Sequence, residues 1–402
     1  MDATLSLKTS SHSLRLWVQR RLYLKILSSL LFIILLFIGF HLAEHKPLWG
    51  DEVYSQHGIQ KLSYAQILLG RIPEGNNSPL FYLIQKGVSD LAGYRLSPEN
   101  WETKIADPKT RILLRLNPIL AMALALTFVF YFFARHYGIW AGTYGFLTAL
   151  FSYNLWLYWA EARPYALWFF LTTAQSLLFL NIVIEKEIDK INWQWLIAVH
   201  FLLAFTVIFS CVQIVVVSFL AGYLTTRDLK KYFWLTLLPC SITIVYYFLA
   251  PKFNFFFPKT ATQLIFPCFP REWMALFGLY ILFLISPFIL KAKQNREVNG
   301  WQPIDIMGRT YLVFTILMLF SAAMLLGFFK AGAVPEGQGF EMSHRYFIYL
   351  TPVGILSTAL IVIHFIKACK GHPWLVFNVA MGLWAFLIIS FLRNSIWAIS
   401  FF

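Results

Sequence analysis

The sequence predicts an all-α, polytopic membrane protein with about eleven transmembrane helices. Of its 402 residues, 59% are hydrophobic and only 13% are charged, whereas roughly a quarter of the residues in a soluble domain are charged. The apolar residues are gathered in continuous runs, and the polar residues lie between these runs. An ordinary soluble domain is therefore excluded.

The formal net charge of +14 is spread over single Lys and Arg residues, or pairs of them, between the apolar runs. Because no basic tail or patch is present, a nucleic acid partner is not expected. The charge is interpreted as fixing the orientation of the helices in the membrane. The four cysteines are widely spaced, so they form neither a CxxC metal motif nor a disulfide framework.

Residues 1–21 are polar and basic and form a predicted cytoplasmic segment. The apolar run from Leu22 to Ala43 is too long for the hydrophobic part of a signal peptide, and no small-residue cleavage site follows it. We expect a retained first helix with its N-terminus inside.

Residues 44–111 form a long polar insertion, the predicted first external loop. Within it, Leu80–Tyr94 is apolar but shorter than the ~20 residues that a helix needs to cross the hydrocarbon. Its polar and apolar side chains fall on opposite arcs, which is typical of a juxtamembrane helix lying in the interface plane. The polar arc holds Gln85, Lys86, Ser89 and Asp90, and the apolar arc holds Leu80, Leu83, Ile84, Val88 and Leu91.

The ten remaining apolar runs are 112–133, 139–158, 165–184, 194–208, 211–226, 232–250, 273–290, 310–329, 346–366 and 374–392. With Leu80–Tyr94 outside the membrane core, the basic clusters fall in the cytoplasmic loops, as the positive-inside rule requires. A twelfth span at this point would invert every later loop. The predicted organisation is a cytoplasmic segment (1–21), a transmembrane module with the external loop (22–231) and a second transmembrane module (232–402).

This orientation places three clusters of acids and bases on the external face. They are Asp51-Glu52, Glu161-Ala-Arg163-Pro-Tyr165 and Glu341-Met-Ser-His344-Arg345-Tyr346. The loop 251–272, which carries six Phe among four Pro, joins them there. It is interpreted either as a lid that contacts lipid or as part of an interfacial aromatic belt.

Group transfer from a membrane-anchored phosphate donor needs a carboxylate to take a proton from the acceptor hydroxyl, and cations to hold the leaving phosphate. Asp51 is the candidate base. Arg115, Arg163 and Arg345 are candidate phosphate contacts, because a guanidinium group pairs bidentately with phosphate oxygens. Two alternatives stay open: Asp51 caps a short surface helix, and the arginines extend to lipid head groups.

Several short motifs together resemble the integral-membrane glycosyltransferases of the GT-C fold. They are Trp49-Gly50-Asp51-Glu52, Asn77-Ser78-Pro79-Leu80-Phe81-Tyr82, Arg115-Leu-Asn-Pro118 and Glu161-Ala-Arg163-Pro164-Tyr165. The likeness is closest to the bacterial branch that resembles protein mannosyltransferases and the aminoarabinose transferase acting on lipid A. It covers about residues 20–230, with a weaker echo at His344-Arg345-Tyr346.

The resemblance implies transfer of a sugar from a polyprenyl-phosphate carrier to an acceptor on the non-cytoplasmic face of a bacterial inner membrane. It gives Asp51, with its neighbour Glu52, the catalytic position, and gives the three arginines the donor phosphate. Further substrate contacts are expected from Tyr54, Tyr82, Glu161, Tyr165, His344 and Tyr346. Asn77-Ser78-Pro79 departs from the His-Pro-Pro of many relatives.

The DxD-like pair of the metal-dependent oligosaccharyl branch is absent, so no metal is assigned; Mg²⁺ or Mn²⁺ is compatible with the motifs but not required by them. No large soluble domain follows the last apolar run, so the expected acceptor is a glycolipid or an envelope polysaccharide such as lipopolysaccharide.

Two rival classes stay open. A transporter or flippase for a lipid-linked saccharide predicts polar or charged residues in the middle of several spans and broken helices. A non-catalytic assembly subunit predicts that the acids of the first external loop do not matter to activity. The spans are nearly uncharged and the ionisable residues crowd one rim, which favours the transferase.

Overall fold

The computed structural model describes residues 3–72, 78–95, 104, 106–184, 190–224, 230–249 and 347–368, with the single residues 382 and 385. Within these ranges every regular element is an α-helix, which confirms the all-α prediction. The helices are α1 (Ala3–His45), α2 (Gly50–Gln60), α3 (Tyr64–Leu68), α4 (Leu80–Leu91), α5 (Pro108–Leu114), α6 (Leu116–Tyr137), α7 (Ile139–Leu150), α8 (Tyr153–Trp159), α9 (Tyr165–Ile184), α10 (Lys190–Ala204), α11 (Ser210–Leu224), α12 (Lys230–Leu237), α13 (Pro239–Leu249) and α14 (Leu350–Ala368).

In the described part of the chain, three helices are long and apolar enough to cross a membrane: Arg21–His45, Leu116–Tyr137 and Tyr165–Ile182. In the most apolar 18-residue stretch of each helix, 28% of the residues are buried in the first helix, 72% in the second and 78% in the third. Among the described helices, the first is therefore the least buried of the three, and α6 and α9 are central. Around them, α6 packs against α1, α7 and α9, while α14 packs against α7 and α9.

Two predicted spans are each divided into two helices. The run 232–250 is broken between α12 and α13 at Pro239, because proline lacks the N–H that would continue the helix and clashes with the preceding turn. The run 139–158 is broken between α7 and α8, where Ser152 is extended. The indole of Trp156 donates to the carbonyl of Leu150 (2.6 Å), which satisfies one of the acceptors freed by the break.

Other predicted segments lie outside the described residues. These are the spans 273–290 and 310–329, almost all of 374–392, the aromatic loop 251–272 and the cluster Glu341–Tyr346.

Helix α4 has 12 residues, which is too short to cross a membrane, and its two faces are arranged as in a helix beside lipid. Gln85 and Ser89 are buried, whereas Leu91 is 92% exposed. The amide of Gln85 donates to the carbonyl of Leu114 (2.8 Å), and the amide of Gln56 donates to the hydroxyl of Ser89 (2.8 Å). The polar arc thus binds α4 to α2 and α5, and on the apolar arc Ile84 and Leu91 face outward, whereas Leu80 and Leu83 pack against the core.

The segment before α4 is fixed to the transmembrane bundle. The N–H of Ser78 donates to the carbonyl of Thr206 (3.1 Å), and the N–H of Leu80 donates to that of Phe205 (2.7 Å). Thr206 and Phe205 lie in the turn between α10 and α11. The end of the Asn77-Ser78-Pro79 motif therefore positions α4 through its backbone.

Candidate active site

The candidate active site lies where the first turn of α2 meets the α5–α6 junction and the segment 160–164 before α9. Helix α2 begins at Gly50, after Trp49, and the carboxylate of Glu52 accepts the N–H of Trp49 (3.0 Å). A carboxylate at the third helical position that accepts the N–H of the N-cap residue is one half of a capping box and stabilises a helix start. The alternative in which Asp51 caps this helix is wrong, because Trp49 is the capping residue.

Glu52 and Arg115 form a fully buried ion pair at the base of the site. Both side chains are 0% exposed. Arg115 binds the carboxylate bidentately, with Nε 2.9 Å from Oε1 and Nη2 2.6 Å from Oε2. Oε1 also accepts the backbone N–H of Ala162 (2.5 Å), so Glu52 connects α2 to α6 and to the segment before α9.

The other donors of Arg115 bind the chain at the end of α1. Nη1 donates to the carbonyls of Ala43 (3.2 Å) and Lys46 (2.6 Å), and Nη2 donates to that of Pro47 (2.8 Å). Carbonyls at a helix C-terminus have no partner within the helix, so a buried guanidinium group there removes a large desolvation cost. All five N–H groups of Arg115 are engaged, which gives it a structural role in this arrangement. Its contact with a donor phosphate stays a prediction.

Asp51 forms the exposed part of the site, and the largely buried side chain of Arg163 lies beside it. The Asp51 side chain is 42% exposed and that of Arg163 is 8% exposed, and the two approach to 3.8 Å between Oδ2 and Nη2. Arg163 also donates to the hydroxyl of Ser55 (2.8 Å), and its guanidinium carbon lies 5.7 Å from the centre of the Tyr165 ring. A fixed, largely buried cation therefore stands beside a half-exposed carboxylate.

Lys46 adds a third cation, which the sequence did not lead us to expect at the site. Its ammonium group donates to the carbonyl of Leu157 (2.8 Å). Burial lowers the pKa of Lys46; Glu161 and Glu52 act against this shift, and Arg115 adds to it. The feature of the sequence that could have identified Lys46 is its position directly before the Pro47-Leu-Trp-Gly-Asp-Glu motif. Ser55, four residues after Asp51, was also missed.

The predicted substrate contacts divide into accessible and buried residues. Tyr54 is 58% exposed on α2 and can meet a ligand. Tyr82 is fully buried with its ring edge-on to Phe81, because its side of α4 faces the protein, so it offers no face to a sugar ring in this arrangement. Glu161 and Tyr165 are also buried. Arg345, His344 and Tyr346 lie outside the described residues.

Asp51, Glu52, Arg115 and the Glu161–Arg163 segment are thus brought together from parts of the chain that are far apart in sequence. In the described ranges, the one grouping of His and carboxylate side chains arranged to hold a metal ion includes neither Asp51 nor Glu52. No protein-family model, curated protein or solved structure was found to match this chain.

Proposed function

We propose that this protein is a membrane glycosyltransferase that moves a sugar from a polyprenyl-phosphate donor to a glycolipid or envelope polysaccharide. The reaction takes place on the external face of a bacterial inner membrane, in a chain with eleven spans. The observation that carries the proposal is the pairing of a half-exposed carboxylate, Asp51, with the buried and fixed guanidinium group of Arg163.

In this reaction the acceptor hydroxyl attacks the anomeric carbon of the sugar. Asp51 takes the hydroxyl proton as the new glycosidic bond forms. The bond between the anomeric carbon and the phosphate oxygen breaks, and polyprenyl phosphate leaves with the bonding electrons. Arg163 stabilises the negative charge that develops on the phosphate.

Glu52 and Arg115 act by positioning. Glu52 accepts hydrogen bonds from the Arg115 guanidinium group and from the N–H groups of Trp49 and Ala162. These contacts fix the first turn of α2, which carries Asp51, against the segment that carries Arg163. The buried pair therefore sets the separation of the two groups that meet the substrate.

The exposed part of the α4 apolar arc supports the proposed location. Leu91 and Ile84 are exposed on this arc, whereas the opposite arc contacts α2. A helix with this distribution lies with its apolar face at the acyl boundary of a membrane. The site on α2 would then lie at the level of the head groups, where a lipid-linked phosphate is found.

A transporter of lipid-linked saccharides is the second candidate, since polar side chains lie buried inside the bundle. His200 Nε2 is 2.9 Å from the amide of Gln175, and His200 Nδ1 is 3.0 Å from the carbonyl of Thr236. The broken helices at Ser152 and Pro239 also fit this class. These polar groups hydrogen-bond to one another, however, as structural pairs between membrane helices do, and the transferase is preferred.

One assay separates the two candidate functions. The full-length chain is placed in vesicles that contain a labelled polyprenyl-phosphate sugar and a bacterial glycolipid fraction. Transfer yields a heavier, labelled acceptor. Transport moves the donor between leaflets without changing its mass. The proposal would be overturned if the donor crossed the vesicle membrane and no acceptor gained the label.

In the same assay, Arg163→Gln is expected to lower kcat/KM by about 10²–10³-fold, the usual cost of removing one donor that stabilises a developing anion. Arg95→Gln is the matched control, because Arg95 is 61% exposed and pairs with Asp90 outside the site. Arg95→Gln should keep the parent rate. Equal activity of the parent and Arg163→Gln would remove Arg163 from the mechanism.

A further inference from the structure

The last turn of α1 carries a separate cluster of metal-ligating side chains. His41, Glu44 and His45 each place one ligand atom within 4.8 Å of the others, and the two imidazole ring centres are 4.2 Å apart. Residues spaced by three and four positions share one face of a helix, so the spacing His-x-x-Glu-His accounts for the cluster. This spacing was visible in the sequence.

The hydrogen bonding of His45 sets which ring nitrogen is available. Its Nδ1 lies 2.9 Å from the carbonyl oxygen of His41. Because a carbonyl oxygen can only accept, Nδ1 carries the proton and Nε2 presents its lone pair. Metal-binding histidines use the same arrangement, in which the second nitrogen donates to a carbonyl or carboxylate and fixes the ring.

The backbone beneath the cluster is firmly held. Leu42 and Ala43, on the other side of the helix, are 3% and 0% exposed. The carbonyl of Ala43 binds Arg115. Glu44 and His45, in contrast, are exposed, and His41 is half-buried. The helix end is therefore held against the protein on one side and carries a partly exposed cluster of ligating side chains on the other.

We propose that His41, Glu44 and His45 bind a divalent transition metal ion of the zinc type. Two imidazoles and a carboxylate are a typical zinc ligand set, with one position left for water, whereas Mg²⁺ and Ca²⁺ prefer oxygen ligands alone. Bonds of about 2.1 Å place tetrahedral ligand atoms about 3.4 Å apart. Rotation of the exposed Glu44 side chain and small shifts of the two imidazoles, with the His45 Nδ1 hydrogen bond kept, close the remaining gap. The site is independent of the proposed glycosyl transfer.

Equilibrium dialysis of the full-length, metal-stripped protein in detergent against Zn²⁺ tests the site, with the bound metal measured directly. We expect His41→Ala and His45→Ala each to weaken zinc binding by more than about tenfold, the lower bound for losing even an outer-shell partner. Glu44→Gln should weaken it less. Absorbance of bound Co²⁺ in the visible range should report a tetrahedral site in the parent protein and be lost in both histidine variants.

His57→Ala is the matched control, since it removes a half-buried histidine on α2 outside the cluster. It should bind zinc like the parent protein, and Mg²⁺ should not compete. Unchanged zinc binding in the double variant His41→Ala/His45→Ala would overturn the proposal, as would an equal loss of binding in His57→Ala. Neither result bears on sugar transfer, which is measured separately.

Discussion

Replacement of Asp51 by Asn is expected to lower the rate of sugar transfer by about 10²–10⁴-fold, the usual contribution of a general base. Asn has nearly the same shape as Asp but cannot take the acceptor proton. The fold should be retained, because the Asp51 side chain is 42% exposed and its backbone carbonyl, which binds Ser55, is unchanged. The measurement is the initial rate of label transfer in vesicles with saturating donor.

Asp90→Asn is the control for this experiment. Asp90 lies near the end of α4, where it pairs with Arg95 and accepts a hydrogen bond from Tyr64. The same chemical change there leaves the Asp51–Arg163 pair untouched, so the rate should match that of the parent protein. A parent-like rate in Asp51→Asn would mean that another group, or none, takes the proton.

Replacement of Arg115 by Met is expected to lower the free energy of unfolding by about 3–5 kcal/mol, the typical result of removing one partner from a buried ion pair. The change leaves the Glu52 carboxylate buried without its cation. It also leaves the carbonyls of Ala43, Lys46 and Pro47 without the guanidinium donors. Thermal unfolding in detergent should show the loss as a clearly lower midpoint.

The double variant Glu52→Gln/Arg115→Met should be more stable than Arg115→Met alone, because no uncompensated charge is then buried. Arg95→Met, which removes an exposed arginine, should change stability by no more than about 0.5 kcal/mol. If Arg115→Met unfolded with the same thermal midpoint as the parent protein, the buried pair would not hold the site together.

Composition and hydropathy were sufficient to predict an all-α membrane protein, since these depend on the chain as a whole. They also gave the two arcs of α4. Hydropathy cannot say which arc faces the protein, however, and in a membrane the apolar arc can face outward, as Leu91 does. The break at Pro239 had a signal in the proline itself. The break at Ser152 had a weaker signal, a serine at the N-cap position of the second helix, and the Trp156–Leu150 contact across it is local.

The different environments of Asp51 and Glu52 could not be read from the sequence. Adjacent helical residues point in different directions, and which of the two is buried depends on Arg115, 63 positions from Glu52. The sequence identified Arg115 as a cation suited to phosphate. It could not show that the end of α1 would present three carbonyls to the same guanidinium group. Proximity of Asp51 to Arg163 likewise depends on how α2 meets the start of α9.

The Asp51–Arg163 pair is proposed to face the exterior of the cell, and labelling with a membrane-impermeant maleimide in spheroplasts tests this most directly. The 4 native cysteines are first replaced, and one cysteine is then introduced, either as Tyr54→Cys on α2 or as Trp140→Cys on α7. The native Tyr54 and Trp140 are 58% and 46% exposed, so a reagent can reach both positions. We predict that Tyr54→Cys reacts in intact spheroplasts, whereas Trp140→Cys reacts only after permeabilisation. Labelling of Trp140→Cys from outside, with Tyr54→Cys protected until permeabilisation, would contradict the account.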